Sequence, residues 1–395
     1  MTALDFLGFR RARGARTWSL RCSAGDFAQS GDQLATVCPK CGQPLLVEYQ
    51  GPEPSMKDLL PRWDMWRYAP LLPLLPDEQP VSLGEGTTPL IDAPRLATQY
   101  GVGRVWVKDE GLNPTGSFKA RGMSAAVTRA KAFGVKGLVV PTAGNAGAAM
   151  AAYAAQARIP ARVYAPRTTP PAILNTIYAL GADLQLVDGH IGDAGKQARA
   201  FAADSGYFDV STLREPYRIE GKKTMGAELA EQLGWRLPTH IIYPTGGGTG
   251  LIGMWKVFRE LVTLGWLPQQ TTMPKMIVAQ ANGCAPIVKA VAEGADHAEP
   301  WINPVTHAAG LRVPSPLGDR LIIKAVKESG GTAVSRTEEQ IRDATALLAR
   351  ETGVDAAPEG GCALAVLAQL AEHQQLGPDA EVLVFNTGSG ASYRT

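Results

Sequence analysis

The feature that most constrains the fold is a regular alternation, from Arg104 onward, of short β-branched runs with Ala-rich stretches of helical periodicity. Strands that are buried on both faces appear as continuous apolar runs, and helices are the connections that parallel strands require. The pattern predicts an α/β fold of doubly wound, mostly parallel sheets. The predicted strands begin at Arg104, Gly137, Arg162, Asp183, His240, Lys275 and Glu381, and the predicted helices begin near Ser117, Asn145, Thr169, Ile191, Arg218, Thr249, Thr337 and Gly361.

Chain length and charge narrow the class of protein further. With 395 residues, 45% of them hydrophobic, the chain exceeds the usual size of a single core, so two lobes are expected. A formal net charge of +2 is far from the basic excess that nucleic-acid binding demands. No apolar run is long enough to span a bilayer, and the first sixteen residues lack the apolar core of a secretory signal. We therefore expect a cytoplasmic protein without a nucleic-acid or membrane partner.

The segment NPTGSFKARG, from Asn113 to Gly122, carries the first candidate for chemistry. Its turn residues lead into Ser117, a helix-capping residue type, so Lys119 is predicted to lie in the first turn of a helix. The positive end of the helix dipole and nearby cations disfavour the ammonium form there. Attack on an aldehyde requires a neutral amine, so Lys119 is a candidate for Schiff-base formation. On this segment alone, an ordinary surface lysine would be the better interpretation.

Three further strand-to-helix turns strengthen the case. PTAGNAG, from Pro141 to Gly147, offers backbone N–H groups that suit a substrate carboxylate, and Asn145 adds an amide donor. TGGGTG, from Thr245 to Gly250, suits a phosphate and lacks the Lys-Ser/Thr pair of nucleotide-binding loops. NTGSG, from Asn386 to Gly390, offers hydroxyls to a heteroaromatic nitrogen, although a simple polar turn explains it equally well alone. All four turns follow parallel strands, so they are predicted to meet in one crevice.

At these residues the sequence resembles the threonine synthase and serine/threonine dehydratase group of pyridoxal 5'-phosphate enzymes, which share the tryptophan synthase β fold. The resemblance is carried by SLGEGTTPL (82–90), VKDEGLNPTGSFKARG (107–122) and RIEGKKT (218–224), and it extends from about Ser82 to the end of the chain. It implies pyridoxal 5'-phosphate as the cofactor, a small-molecule amino acid as the substrate, and a homodimer.

The resemblance also implies roles for individual residues. Lys119 would form the Schiff base with the cofactor and later remove the α-proton of the substrate. The implied cofactor-binding residues are Phe118, Lys119, Asn145, Thr245, Gly246, Gly247, Gly248, Thr249 and Thr387. The implied substrate-binding residues are Glu85, Thr87, Thr88, Ser117, Thr142, Ala143, Gly144 and Ala146. Pro314 and Glu359 are further pocket candidates by analogy.

Departures from the threonine synthase pattern point to a particular reaction. AGNAG (143–147) stands where threonine synthases carry TGNTS, and TGGGTG (245–250) replaces an Asn-containing phosphate loop; both changes are similar to β-eliminating dehydratases. A hydroxyl from Thr387 at the pyridine nitrogen gives a weaker electron sink than a carboxylate, which favours prompt loss of a Cβ substituent. Ala143 lies where serine racemases carry a second base, so racemisation is disfavoured.

These departures predict a lyase that eliminates from a β-hydroxy amino acid such as serine, threonine or phenylserine, giving a 2-keto acid and ammonia. The alternative is a threonine synthase that converts O-phosphohomoserine to threonine and phosphate. A catalytically idle metabolite-binding regulator is a third possibility, which the presence of Lys119 disfavours.

The resemblance implies a domain organisation as well. A large cofactor-binding domain would comprise residues 51–100 and 215–395, and residues 101–214 would form a smaller mobile domain that carries Lys119 and the carboxylate loop. Residues 1–50 are predicted to form a degenerate zinc-ribbon-like segment. A Pro- and Trp-rich irregular connector is expected to follow it and to pack against the main body. The connector residues expected to pack are Trp63 and Trp66.

The amino-terminal cysteines form an incomplete metal-binding pattern. Cys38-Pro-Lys-Cys41-Gly is one half of a zinc-knuckle pair, and Cys22 stands where the other half would begin. Gly25 replaces the second cysteine of that half, whereas a structural zinc site needs four ligands. Asp26 or water could complete the set, but we expect no bound metal, with Cys22, Cys38 and Cys41 as weak candidates only. Five cysteines, an odd number, favour a reducing compartment over a disulfide framework.

Overall fold

The structure is a computed structural model that describes residues 16–394. These residues contain three β-sheets. The strands are β1 Thr17–Cys22, β2 Ala28–Ser30, β3 Leu45–Gln50, β4 Leu90–Asp92, β5 Arg104–Asp109, β6 Leu138–Pro141, β7 Ala161–Pro166, β8 Asp183–Val187, β9 Phe208–Asp209, β10 His240–Pro244, β11 Lys275–Ala281, β12 Thr332–Arg336 and β13 Glu381–Asn386. The α-helices are α1 Pro94–Tyr100, α2 Lys119–Ala132, α3 Asn145–Ala157, α4 Pro171–Ala179, α5 Ile191–Ser205, α6 Tyr217–Gln232, α7 Thr249–Thr263, α8 Pro286–Ala292, α9 Asp319–Glu328, α10 Glu338–Thr352 and α11 Pro358–Glu372.

The seven predicted strands are confirmed, and each of the eight predicted helices begins within three residues of its expected position. The prediction missed three helices, α1 and α8 with seven residues each and α9 with ten. It also missed the strands β1 to β4, β9 and the edge strand β12, whose residues are all only partly buried. Within residues 16–394, no helix combines the length and the apolar character that crossing a bilayer requires. The prediction about a secretory signal concerns mainly residues 1–15, which lie outside the described range.

The largest sheet has the strand order β12-β11-β10-β13-β5-β4, and every pair is parallel except β4 with β5. Its central strands are buried apolar runs, so both faces need cover. Helices α1, α10 and α11 pack on one face, and α6, α7 and α9 pack on the other. The predicted doubly wound α/β architecture is therefore confirmed.

The second sheet has the order β8-β7-β6-β9 and is parallel throughout. Helices α2, α3 and α4 share a core on one of its faces, and α5 packs on the other. Strand β5 pairs with β13 in the largest sheet, so residues 104–109 do not join the smaller sheet as the predicted boundary at residue 101 implied. The division into domains and the mobility of the smaller one stay predictions.

The third sheet is antiparallel, with the order β2-β1-β3, and lies at the amino-terminal end of the described residues. Its side chains Trp18, Leu20 and Val47 belong to the same buried cluster as α2 and α3. Tyr49 OH donates a hydrogen bond of 2.5 Å to Glu220 on α6. The small sheet is therefore anchored on the helix that begins with Lys119.

An irregular connector joins this sheet to the main body, as predicted. Its only helical elements within the described residues are the short 3-10 turns Met56–Asp58 and Met65–Leu71. Trp66 is 1% exposed and its indole N–H donates to Ser124 on α2 at 2.9 Å. Trp63 is 88% exposed, so the predicted packing is confirmed for Trp66 and wrong for Trp63.

Candidate active site

The four predicted strand-to-helix turns meet in one crevice. The Phe118 N–H donates to the Thr387 carbonyl at 3.1 Å, which joins the turn before α2 to the turn after β13. A Cβ atom on Gly388 would lie 3.3 Å from Asn145 Nδ2, so the start of α3 reaches the same turn. The Phe118 ring lies edge-on to Tyr243 at the end of β10, with 6.1 Å between ring centroids. The glycine turn that follows β10 is thereby brought beside Lys119.

Lys119 is the first residue of α2 and is half-buried in this crevice. Phe118 is the N-cap of the helix, so the helix begins two residues after Ser117, the predicted cap. The Lys119 Nζ atom lies 3.8 Å from the centroid of the Phe118 ring. Burial and the positive charge of Arg218 lower the pKa of Lys119 to about 7, and the Glu359 carboxylate opposes that shift. A large share of the amine is therefore neutral near pH 7.

Two further basic residues, Arg218 and Lys222, line the crevice, and the sequence analysis left both without a role. Burial, with Arg218 and Lys119 nearby, lowers the pKa of Lys222 well below its ordinary value. Arg218 is buried, and its Nε and Nη2 atoms have no hydrogen-bond partner among the described residues. Lys222 is also buried and its Nζ donates to the Phe118 carbonyl. The sequence could have indicated this pair, because Arg218 and Lys222 lie four residues apart in RIEGKKT and therefore share one face of a helix. A buried guanidinium with free donors calls for an anion.

Acidic side chains near Arg218 do not neutralise it directly. Within residues 16–394, Glu215 and Asp209 lie close enough to influence Arg218 but form no salt bridge with it. Burial raises the pKa of Glu215 to about 7 even though Arg218 opposes the shift, so near pH 7 this carboxyl carries only part of a charge. The positive charge of Arg218 therefore stays available to a ligand.

The turn before α3 presents backbone donors. Thr142 Oγ accepts hydrogen bonds from the N–H groups of Gly144 (3.1 Å) and Gly147 (3.0 Å) and donates to the Gly144 carbonyl at 2.6 Å. Its hydroxyl thus shapes the turn. Among the described residues, the N–H groups of Ala143, Asn145 and Ala146 have no partner. Three backbone donors at a helix start remain for a carboxylate.

The glycine turn before α7 fits a phosphate for steric and chemical reasons. A Cβ atom would lie 2.2 Å from the Gly310 carbonyl oxygen if added to Gly246, and 2.3 Å from an Ile322 methyl group if added to Gly248. Gly248 also has a φ of +74°, which favours glycine. The N–H groups from Gly246 to Thr249 have no partner within the described range. Thr245 instead donates its hydroxyl to the Tyr243 carbonyl at 2.8 Å and holds the turn.

The turn after β13 offers a hydroxyl. Asn386 fixes this turn, because its Nδ2 donates to Asp109 at 2.8 Å and its Oδ1 accepts the Ala357 N–H at 3.2 Å. The next residue, Thr387, is buried, and its hydroxyl has no hydrogen-bond partner in residues 16–394. An amine of lowered pKa, a cradle of free N–H groups and an unpartnered hydroxyl together fit the aldehyde, phosphate and ring nitrogen of pyridoxal 5'-phosphate.

The predicted substrate residues before α1 are engaged elsewhere. The Glu85 carboxylate is fully buried and accepts a hydrogen bond of 2.6 Å from Tyr153 OH. The Thr88 hydroxyl donates to Glu110 at 2.7 Å. Thr87 is exposed and has a φ of 49°. Their contact with a substrate stays a prediction.

Glu110 belongs to a buried ion network, which we call the Arg121 network and which consists of Lys108, Glu110, Arg121 and Glu228. Arg121 forms salt bridges of 2.7 Å with Glu110 and 2.9 Å with Glu228, and Lys108 Nζ lies 2.6 Å from Glu228. Burial raises the pKa of Glu228, but Arg121 and Lys108 outweigh it and hold the pKa well below its ordinary value. Two cations and two anions balance each other here.

Comparison with known proteins agrees with this geometry. The family model described as pyridoxal-phosphate dependent enzyme matches residues 81–388. The chain is 36% identical to threonine synthase of Methanosarcina acetivorans over 94% of its own length and 91% of the relative. It is 33% identical to threonine synthase of Methanocaldococcus jannaschii, over 94% and 92% of the two chains. The structure of diaminopropionate ammonia lyase from Escherichia coli superposes with a TM-score of 0.67 at 22% identity, covering 79% of this chain and 87% of that one.

Proposed function

Because this chain belongs to the family of pyridoxal-phosphate dependent enzymes, we propose that it eliminates water from a β-hydroxy amino acid such as serine, threonine or phenylserine. Loss of water leaves a 2-enamino acid, which tautomerises and takes up one water molecule to give a 2-keto acid and ammonia. The observation that carries this proposal is the combination of a half-buried amine, the Lys119 Nζ with a pKa of about 7, with turns that offer almost only backbone donors. These turns bind a carboxylate and a phosphate, and their side chains add few donors for a large polar substrate.

Each turn has one task in this proposal. The bound cofactor draws electrons away from the α-carbon of the substrate. The N–H groups from Gly246 to Thr249 hold the cofactor phosphate, and Asn145 orients the ring. The free N–H groups of Ala143 and Ala146 hold the α-carboxylate of the substrate.

Lys119 is the proton carrier. Its amine is neutral in a large share of molecules near pH 7 and would remove the α-proton of a bound substrate. The crevice shields this step from water, since Phe118 packs beside the amine and Lys222 is buried behind it. Thr387 supports elimination because its hydroxyl, unlike a carboxylate, does not stabilise a protonated ring.

A second reaction, that of a threonine synthase acting on O-phosphohomoserine, is favoured by one observation. Arg218 has two buried donor atoms without partners beside Lys119, which suits a phosphate carried by the substrate. The relatives at 33–36% identity that are named threonine synthase support this alternative as well. Against it, the side chains at 143, 146 and 246–248 add no donors for a second phosphate.

Two product assays separate these reactions. Purified protein loaded with pyridoxal 5'-phosphate is incubated with serine, threonine or β-phenylserine, and ammonia and keto acid are measured. A parallel sample with O-phosphohomoserine is assayed for threonine and inorganic phosphate. Keto acid from a β-hydroxy substrate, absent with Lys119→Ala, supports elimination, whereas threonine with stoichiometric phosphate replaces it by the synthase reaction.

The assembly and location are part of the same proposal. We infer a homodimer from the family resemblance, and exposed apolar side chains such as Leu112 and Ile302 are available to an interface. The odd number of cysteines favours a reducing compartment, from which we infer a cytoplasmic location. Light scattering of the purified protein tests the dimer, because a monomer mass at micromolar concentration would contradict it.

A further inference from the structure

Three cysteine side chains converge at one end of the amino-terminal sheet. The Sγ atoms of Cys22, Cys38 and Cys41 all lie within 4.8 Å of one another, and those of Cys22 and Cys41 are 3.4 Å apart. Tetrahedral Zn²⁺ with bonds of about 2.3 Å places its sulfur ligands about 3.8 Å apart. The observed separations bracket that value. Cys22 and Cys38 are buried, whereas Cys41 is exposed, so the cluster has an open side.

The two chain segments that carry these thiols have the same turn geometry. The Cys22 N–H donates to the Phe27 carbonyl, and the Cys38 N–H donates to the Gln43 carbonyl, each at 2.8 Å and each spanning five residues. Gly25 in the first turn is therefore the counterpart of Cys41 in the second. Residues at this offset in paired knuckles supply metal ligands.

The position of Gly25 agrees with this counterpart relation. A Cβ atom built on Gly25 would lie 3.9 Å from Cys22 Sγ, and no other atom lies within 4 Å of it. The fourth corner of the site therefore faces open space. Asp26, the alternative ligand considered from the sequence, is not part of the cluster among the described residues.

We propose that Cys22, Cys38 and Cys41 form a three-thiolate site for a thiophilic divalent cation of the Zn²⁺ class, with solvent as the fourth ligand. The sequence pattern predicted no bound metal here. The structure favours metal binding, because two equivalent turns bring the three thiols together. The sheet packs on α2 through Trp18 and Leu20, so a bound cation ties the residues before Cys41 to the helix that begins with Lys119. Its task is structural, because neither the thiols nor their turns belong to the crevice.

The test is metal binding by the full-length protein under reducing conditions. Zn²⁺ is removed with a chelator, Zn²⁺ or Co²⁺ is titrated back, and bound metal per chain and the cobalt–thiolate charge-transfer band are measured. We expect one equivalent per chain, lost in Cys38→Ser and kept in Cys284→Ala, which removes a buried thiol outside the cluster. Gly25→Cys adds the fourth thiolate and should raise the affinity at least about tenfold.

Three results would overturn the proposal. The first is the absence of bound metal and of a cobalt–thiolate band in the native protein. The second is binding that survives Cys38→Ser or disappears equally in Cys284→Ala. The third is a native protein that binds nothing while Gly25→Cys does, because the three thiols alone would then be insufficient.

Discussion

Two groups of buried charged residues lie near one another, on α2, on α6 and at the end of β5, and they differ in one respect. In the Arg121 network every charge has a protein partner: Arg121 pairs with Glu110 and Glu228, and Lys108 pairs with Glu228. Lys119 and Arg218 have no salt-bridge partner within residues 16–394. Lys119 lies two residues before Arg121 on α2, and Arg218 lies ten residues before Glu228 on α6. Helices α2 and α6 thus contribute residues to a balanced set, which β5 and the turn after it complete, and to an unbalanced set.

The difference separates stability from function. A balanced buried network resists the loss of any member, because the remaining charge is left uncompensated in a medium of low dielectric constant. An unbalanced set costs free energy in the empty protein and recovers it when an anion binds. We therefore expect substitutions in the two sets to affect different measurements.

The largest effect is expected from Lys119→Ala. Without the amine, covalent attachment of the cofactor and removal of the α-proton are both lost, so turnover should fall by roughly a thousandfold or more. The melting temperature of the cofactor-free protein should not fall, because Lys119 has no ion pair to lose. Turnover and thermal unfolding are measured on the same sample, and a large loss of stability would place Lys119 with the balanced set.

The next effect is on folding. Arg121→Met leaves Glu110 without a salt-bridge partner and Glu228 with Lys108 alone, so the free energy of unfolding should fall by about 3–5 kcal/mol. Arg218→Met is the matched control in the cofactor-free protein. It loses the hydrogen bond from Nη1 to the Val210 carbonyl but no salt bridge, so its loss of stability should be much smaller, about 1 kcal/mol or less. Urea unfolding followed by circular dichroism measures both. Equal losses in the two variants would remove the distinction between the two sets.

Arg218→Met should instead reduce activity. Loss of one buried guanidinium that faces a bound anion is expected to lower kcat/KM by about a hundredfold to a thousandfold. The kinetics identify the anion that Arg218 binds. If excess pyridoxal 5'-phosphate restores the activity, the anion is the cofactor phosphate. If only KM for a phosphorylated substrate changes, the anion is the phosphate of that substrate. Unchanged kinetics in both respects would contradict a ligand-binding role for Arg218.

The smallest effect is on pH dependence. Lys119 is mostly protonated below pH 7 and mostly neutral above it, so cofactor attachment to the empty protein should speed up with rising pH and level off above about 7. Arg218→Met removes the second cause of the lowered pKa and should move that midpoint upward. Stopped-flow absorbance gives the rates. A midpoint near 10.5, the ordinary lysine value, would contradict the described environment.

The lowered pKa of Lys119 also determines how the stability of the cofactor-free protein changes with pH. The folded pKa of about 7 lies below the ordinary 10.5, so between these values the unfolded chain binds more protons than the folded chain. The contribution of Lys119 to the stability of the cofactor-free protein therefore becomes more favourable as pH rises from 7 to 10.5. Comparison with Lys119→Met over that range isolates the effect, and an opposite slope would contradict it.

The sequence predicted those parts that depend on local pattern. Apolar runs fixed the central strands, and glycine-containing turns after them indicated the crevice and Lys119. The balance of charge could not be predicted, because the partners of Arg121 lie on other elements, 11 and 107 residues away along the chain. The free donor atoms of Arg218 could not be predicted either, because they depend on the absence of acceptors on the elements that surround it. Trp63 was misjudged because apolar composition alone does not say which side of a connector faces the body.

The most direct test asks which lysine holds the cofactor. The protein loaded with pyridoxal 5'-phosphate is reduced with borohydride, digested, and mapped by mass spectrometry. We predict a single modified residue, Lys119, whose amine is half-buried, and an unmodified Lys222, which is fully buried in the same crevice with its amine bound to the Phe118 carbonyl. Burial lowers the pKa of both amines, so accessibility rather than pKa separates the two lysines. Modification of Lys222 or of no lysine would contradict the assignment of Lys119 as the reactive amine.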